Sequence, residues 1–177
     1  DLIVDQLIVP YAEQKGSFTD LAGSLKSASG KRNGLYYELL YKAEEAKKVL
    51  STAQETDIEF EITDDAGEQI DIYQTISRTA FEAIIKDKIE ETIAFAAAII
   101  DRNNLKNDEL KEVILVGGST YIPLVRSMLA ERLGVPVNTT VDPTTAVVVG
   151  AAYFAATKTT TYQATQQAAE STVSAAS

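Results

Sequence analysis

The run Val113-Ile114-Leu115-Val116-Gly117-Gly118-Ser119-Thr120 has the makings of a seat for an anionic group. A short apolar strand ends in two glycines, so the backbone can turn sharply and a ligand can approach the main chain without meeting a Cβ. The amides of such a loop, followed by a helix start near Ile122-Pro123, favour a phosphate or a nucleotide, and Ser119 and Thr120 add hydroxyl donors. Taken alone, the pattern serves equally well as a plain bend between a strand and a helix. It is no P-loop, because no Gly-Lys-Ser/Thr closes it, and the Gly-x-Gly-x-x-Gly dinucleotide fingerprint is absent.

A second constellation lies in Lys42-Ala43-Glu44-Glu45-Ala46-Lys47-Lys48-Val49-Leu50-Ser51. Glu44, Lys47, Lys48 and Ser51 stand at i, i+3, i+4 and i+7, which puts one acceptor, two cations and a hydroxyl on one helix face. Such a face can hold a ribose and flank a purine with its lysine stems. By itself it is more simply a solvated face with Glu–Lys pairs. Asp142-Pro143-Thr144-Thr145 reads as a helix cap and start. No paired catalytic acid and base stands out, so the sequence nominates no catalytic residue.

These residues need elements to hold them. Residues 2–13 carry a weak helical pattern, a short helix fits Thr19 to Ser27, and Asn33-Gly34 reads as a turn. The spacing predicts a helix from Leu35 to Thr52, with Leu39, Leu40, Ala43, Ala46, Val49 and Leu50 on or near its buried face. Strict alternation over Asp57 to Ile62 and Ile70 to Ile72, around Asp64-Asp65-Ala66-Gly67, predicts a β-hairpin. Ser77 then caps a helix to about Asn103, with Phe81, Ile84, Ile85, Ile89, Ile93, Ala96 and Ile100 as its stripe. Glu112 to Val116 reads as a strand buried on both faces, and Val135 to Val137 as a short strand. A last helix follows Asp142-Pro143 through Val147, Val148 and Phe154. The expected organisation is one unit over 1–105, a second over 106–157, and a Thr/Gln/Ala/Ser tail over 158–177, disordered or a frayed helix.

Composition narrows the function classes. The chain has 177 residues, with 16 Lys plus Arg against 26 Asp plus Glu and a net charge of -10. That balance argues against a nucleic-acid or anionic-membrane surface, both of which need clustered positive charge. With 0 Cys and 0 His, disulfides, thiolate zinc sites, thiol nucleophiles and Ser-His-Asp chemistry are removed. The longest apolar run, Ile93 to Ile100, is far too short for a membrane span. A soluble, cytoplasmic protein with no metal site of its own is the expectation, cut from a longer polypeptide since it opens on Asp1.

In order along the chain, these features resemble the ATPase domain of the 70-kDa heat-shock chaperones, the DnaK-type family. Lys42 to Ser51 is similar to that family's adenosine-contacting helix. Ile76-Ser77-Arg78-Thr79-Ala80-Phe81-Glu82 is similar to its "I-T-R-A-x-F-E" helix start. Val113 to Thr120 matches "V-I-L-V-G-G-S-T", Ile122-Pro123-x-Val125 matches the "R-I-P-x-V" that follows, and Asp142 to Ala152 resembles "N-P-D-E-A-V-A-x-G-A-A". The likeness runs from about 36 to 156; residues 1–35 fit more loosely and hold an insertion near Leu21 to Arg32.

The resemblance implies an α/β, actin-like ATPase fold of which this chain supplies the second lobe only. Residues to about 105 would be its outer subdomain and residues from 106 the closing part of its inner subdomain. ATP or ADP is then the implied cofactor, with magnesium held by parts of the parent outside this chain, so the chain is catalytically incomplete. The implied nucleotide contacts are Glu44, Lys47, Lys48 and Ser51 on ribose and adenine, and Gly117, Gly118 and Ser119 near the α-phosphate and purine edge. Tyr121 stands where the family's base-stacking Arg follows Gly-Gly-Ser-Thr; an aromatic ring still stacks, for roughly 1 kcal/mol. Thr144 and Thr145 replace an acidic pair. Implied partners are a nucleotide-exchange factor or co-chaperone on the outer subdomain and unfolded clients through other domains of the parent. Two alternatives stay open: a degenerate chaperone-like interaction module with little hydrolysis, and a sugar- or acetate-kinase relative of the same fold.

Overall fold

A computed structural model describes residues 1–138 and 140–158. The chain opens as a helix over 2–13 in which Val4–Ile8 is wound as a π-turn ahead of α1, Val9–Glu13. Pro10 has no N–H to give to the carbonyl four residues back, and the widened turn lies directly before it. Asp20 caps α2, Leu21–Lys26, accepting the Gly23 N–H at 2.8 Å, and Leu21 and Leu25 are buried.

The long helix α3, Asn33–Leu50, buries Leu39, Ala43, Ala46 and Leu50. That is the i, i+4, i+7, i+11 stripe of a helix. Val49, expected near the same face, is 43% exposed because it lies a hundred-degree step off the stripe. Asn33-Gly34 is not a turn but the first two residues of α3, where the Asn33 side-chain amide donates to the Leu25 carbonyl at 3.3 Å.

Strands β1, Glu55–Thr63, and β2, Gln69–Ser77, form the expected antiparallel hairpin, with Phe60 opposite Ile72. Ile58, Phe60, Ile62, Ile72 and Ile76 face the core, while the intervening carboxylates face out. Gln74 breaks the apolar row and gives its side-chain N–H to the Leu7 carbonyl at 3.0 Å. At the hairpin tip, the Asp64 carboxylate accepts N–H bonds from Ala66 and Glu68 at 2.9 Å and from Ser17 at 3.0 Å. Asp65 accepts from the Thr19 N–H at 2.8 Å and from Arg32 at 2.9 Å, fastening the loop before α2 to the hairpin.

Helix α4, Arg78–Arg102, starts at the expected Ser77 cap, whose hydroxyl accepts the Ala80 N–H at 3.1 Å. It joins two apolar clusters. Phe81 belongs to the cluster built by α1 to α3 and the hairpin, and Ile89 and Ile93 belong to a second one with Leu115, Met128, Leu129, Leu133 and Val135. Strand β3, Val113–Ile114, pairs in parallel with β4, Val137–Asn138, across α5, Pro123–Leu133. Gly134 ends α5 at φ 62°, a left-handed position that glycine fills without strain. Helix α6 spans 146–158, after a turn at 143–145.

The expected burial of Glu112 to Val116 on both faces is not what the structure shows. Leu115 is buried, but Ile114 is 54% and Val116 49% exposed. Among the described residues β3 has β4 as its neighbour, and α6 is itself exposed from Val147 to Lys158 and covers neither face. Apart from Lys158, the expectation for 158–177 lies outside the described residues.

Candidate functional site

Position along α3 decides which polar side chains reach a cavity. Glu44 and Lys47 each follow a buried alanine, Ala43 and Ala46, so they stand at the edge of the apolar stripe. There a lysine stem can lie on apolar surface while its head meets solvent. Both line a cavity of about 490 Å³, and Lys47 is ion-paired with Glu44 at its rim. Lys48 turns outward to Glu45 at 2.6 Å and does not line the cavity, nor does Ser51, whose hydroxyl donates to the Lys47 carbonyl at 3.1 Å. Arg78, the first residue of α4, secures the end of α3 by donating to the Leu50 and Ala53 carbonyls at 2.7 and 3.0 Å.

The opposite wall comes from the loop after β3. Gly117 has φ 96°, a conformation that a side chain would strain. Its N–H donates to the Pro143 carbonyl at 2.8 Å, and its carbonyl accepts the Thr120 hydroxyl at 2.7 Å. Gly118 to Tyr121 then form a single 3-10 turn. Ser119 and Thr120 of this turn line the same cavity as Glu44 and Lys47, over a floor that includes Phe81, Ile85, Ile89 and Ile122. Gly118 and Gly117 are one and two residues before that wall, and a Cβ at Gly118 would meet open space.

Tyr121 behaves differently from its expected stacking role. Its hydroxyl donates to the Asp142 carboxylate at 2.6 Å, its ring lies 5.6 Å from the Arg126 guanidinium, and it does not line the cavity. Asp142 also accepts the Thr144 N–H at 3.0 Å and the Thr144 and Thr145 hydroxyls at 2.7 and 3.0 Å. The Tyr121 bond and the threonine bonds hold the Asp142 carboxyl well below the usual carboxylate range, and the same Asp142 bond pushes the Tyr121 phenol up.

Sequence reasoning missed Lys88 and Thr92 of α4, which also line the cavity. They stand at i and i+4 beside the Ile85–Ile89 stripe, so the helical period held the signal. It also missed Asp142 as an acceptor for Tyr121, for which one dimension offers no cue. Magnesium, which accompanies ATP in the implied family, does not fit the described residues: no group of three or more carboxylates comes together, and Asp142 is occupied by four donors.

The mixed α/β architecture, with its small sheets and long helices, is that of an actin-like ATPase fold. A family model described as Hsp70 protein matches residues 18–170, the greater part of the chain, and the chain belongs to the Hsp70 protein family. It is thereby a relative of ATP-binding heat-shock chaperones, and the sugar- or acetate-kinase alternative falls away. No helix among the described residues is long and apolar enough to cross a membrane.

Proposed function

We propose that the chain is the second-lobe part of an Hsp70 nucleotide-binding domain and supplies one side of an adenosine pocket. One observation carries the reading: Glu44 and Lys47 of α3 line the same cavity as Ser119 and Thr120 of the glycine loop. A volume of about 490 Å³ is in the range of small-molecule sites. In this reading Glu44 and Lys47 meet the ribose and the purine edge, and Gly117, Gly118 and Ser119 pass near the α-phosphate. Lys48 and Ser51 are retained as outer contacts that need a rotamer change to reach a ligand. No catalytic step is assigned to this chain. Residues to about 105 would be the outer subdomain that docks an exchange factor or co-chaperone, residues 106–157 the closing part of the inner one, and the parent a cytoplasmic chaperone whose clients bind elsewhere.

The commitment of Tyr121 to Asp142 favours a second reading, a relative that binds nucleotide without a stacking contact and acts chiefly as an interaction partner. Measurable exchange-factor binding without ATP turnover in the longer protein would select it.

Calorimetric titration of the 177-residue chain with ADP tests the first reading. With half of the ligand facing water, affinity is expected near or weaker than ~1 mM, further weakened by Lys47→Ala and abolished by Gly118→Val. Because the space beside Gly118 is open, that substitution leaves the fold intact while filling the ligand's approach. Wild-type affinity in Gly118→Val would contradict the proposal.

A further inference from the structure

We propose that Asp142 is the positioning residue of the Gly117–Thr120 loop, which it and its neighbour Pro143 hold from both ends. At the loop's far end the Tyr121 hydroxyl donates to Asp142 at 2.6 Å; at its near end the Gly117 N–H donates to the Pro143 carbonyl at 2.8 Å. The carboxylate is oriented independently of the phenol, because Thr144 and Thr145 give it three bonds of 2.7 to 3.0 Å from its own turn. A short hydrogen bond to an ionised and already oriented acceptor is among the stronger neutral-donor contacts a protein makes. Arg126 adds a third tie, donating to the Thr120 carbonyl at 2.8 Å beneath the Tyr121 ring.

Two departures that read from sequence as separate losses, Tyr121 and the Thr144-Thr145 pair, meet at one carboxylate. Together they make a latch whose parts lie 21 residues apart in the chain. Its consequence is pre-organisation: Gly117 is held at φ 96°, and Ser119 and Thr120 are set on the cavity wall by contacts within the chain itself. A loop ordered in advance loses less freedom on binding. Tyr121 is therefore a residue that acts through the loop, not through contact with a base. The value of the latch for a nucleotide rests on the reading of the cavity given above; the ordering of the loop does not.

Amide hydrogen exchange, followed residue by residue on the 177-residue chain, tests the latch. The Gly117 amide is expected to exchange roughly tenfold faster in Tyr121→Phe and at least as fast in Asp142→Ala, the scale of one lost charge-assisted bond. The double variant should be no faster than Asp142→Ala alone, Asp142→Asn should recover part of the protection through its remaining oxygen, and the Ile72 amide of the hairpin should be unchanged. Unaltered Gly117 exchange in Tyr121→Phe, additive effects in the double variant, or equal acceleration of Ile72 would each overturn the proposal. Titrating the same samples with ADP separates the two claims: latch behaviour without any ADP-induced shift upholds the latch and removes the nucleotide reading.

Discussion

Asp64 is the residue on which the hairpin tip depends. Backbone amides of Ser17 and Glu68, and then of Ala66, hold its carboxyl below the ordinary range against the opposing effect of its burial. Asp65 is lowered as well, by the Thr19 amide and then Arg32. A carboxyl whose pKa falls on folding adds stability that is full above its unfolded value of about 4 and is lost as pH drops through the folded value. Thermal melts followed by circular dichroism should therefore give a flat midpoint from about pH 8 to 5 and a decline below about 4. Asp64→Asn should lower the midpoint at pH 7 and flatten the acid decline. An acid limb unchanged by the substitution would show that this carboxyl does not carry the effect. The sequence marked Asp64-Asp65-Ala66-Gly67 as turn chemistry, which it is. It could not show that the same carboxylates also receive the backbone of residues 17 and 19, because that pairing exists only once α2 has folded against the hairpin.

At the scale of elements, periodicity carried most of the fold. The hairpin was legible because alternate residues of both strands are apolar, and α4 because a serine cap precedes a helical stripe. On α3 the same arithmetic that buries Leu50 completely leaves Val49 at 43% exposed. Leu50→Ala should cost about 3 kcal/mol in urea unfolding, since it empties a filled site in the first apolar cluster, whereas Val49→Ala should stay within about 0.5 kcal/mol. Equal costs would mean that the stripe is misplaced by one residue. The candidate site was legible on α3 for the same reason: helical spacing places Glu44 and Lys47 beside the buried stripe. On the loop it was legible as far as Thr120. Residue order does not say whether the phenol of Tyr121 turns to the cavity or to Asp142; in the structure it donates to Asp142.

Over the whole molecule, many of the exposed large apolar side chains lie on α4, on β3 and its flank, and on α6. Ile114, Val116, Phe95, Val148, Tyr153 and Phe154 are all about half exposed or more. Exposed apolar side chains of this size offer apolar surface to a small hydrophobic probe. An anilinonaphthalene sulfonate dye should therefore bind the folded chain, and Val148→Ser with Phe154→Ser should reduce its fluorescence without changing the melting midpoint. No dye binding by the wild-type chain would contradict the exposure. Strand β3 departs from expectation because a run such as Val113 to Val116 has the sequence of a strand covered on both sides, while among the described residues only the Leu115 face is covered and the face of Ile114 and Val116 is open.

The α3 face and the glycine loop border one cavity and, in the function proposed for them, take the same nucleoside. The most direct measurement is a map of backbone amide shifts in the wild-type chain during titration with ADP to several millimolar. Saturable shifts are expected at both Glu44 to Lys47 and Gly117 to Ser119, with one shared dissociation constant near or above ~1 mM, and none at the hairpin tip around Asp64. Shifts confined to one of the two segments, or centred on the hairpin, would contradict the proposed function.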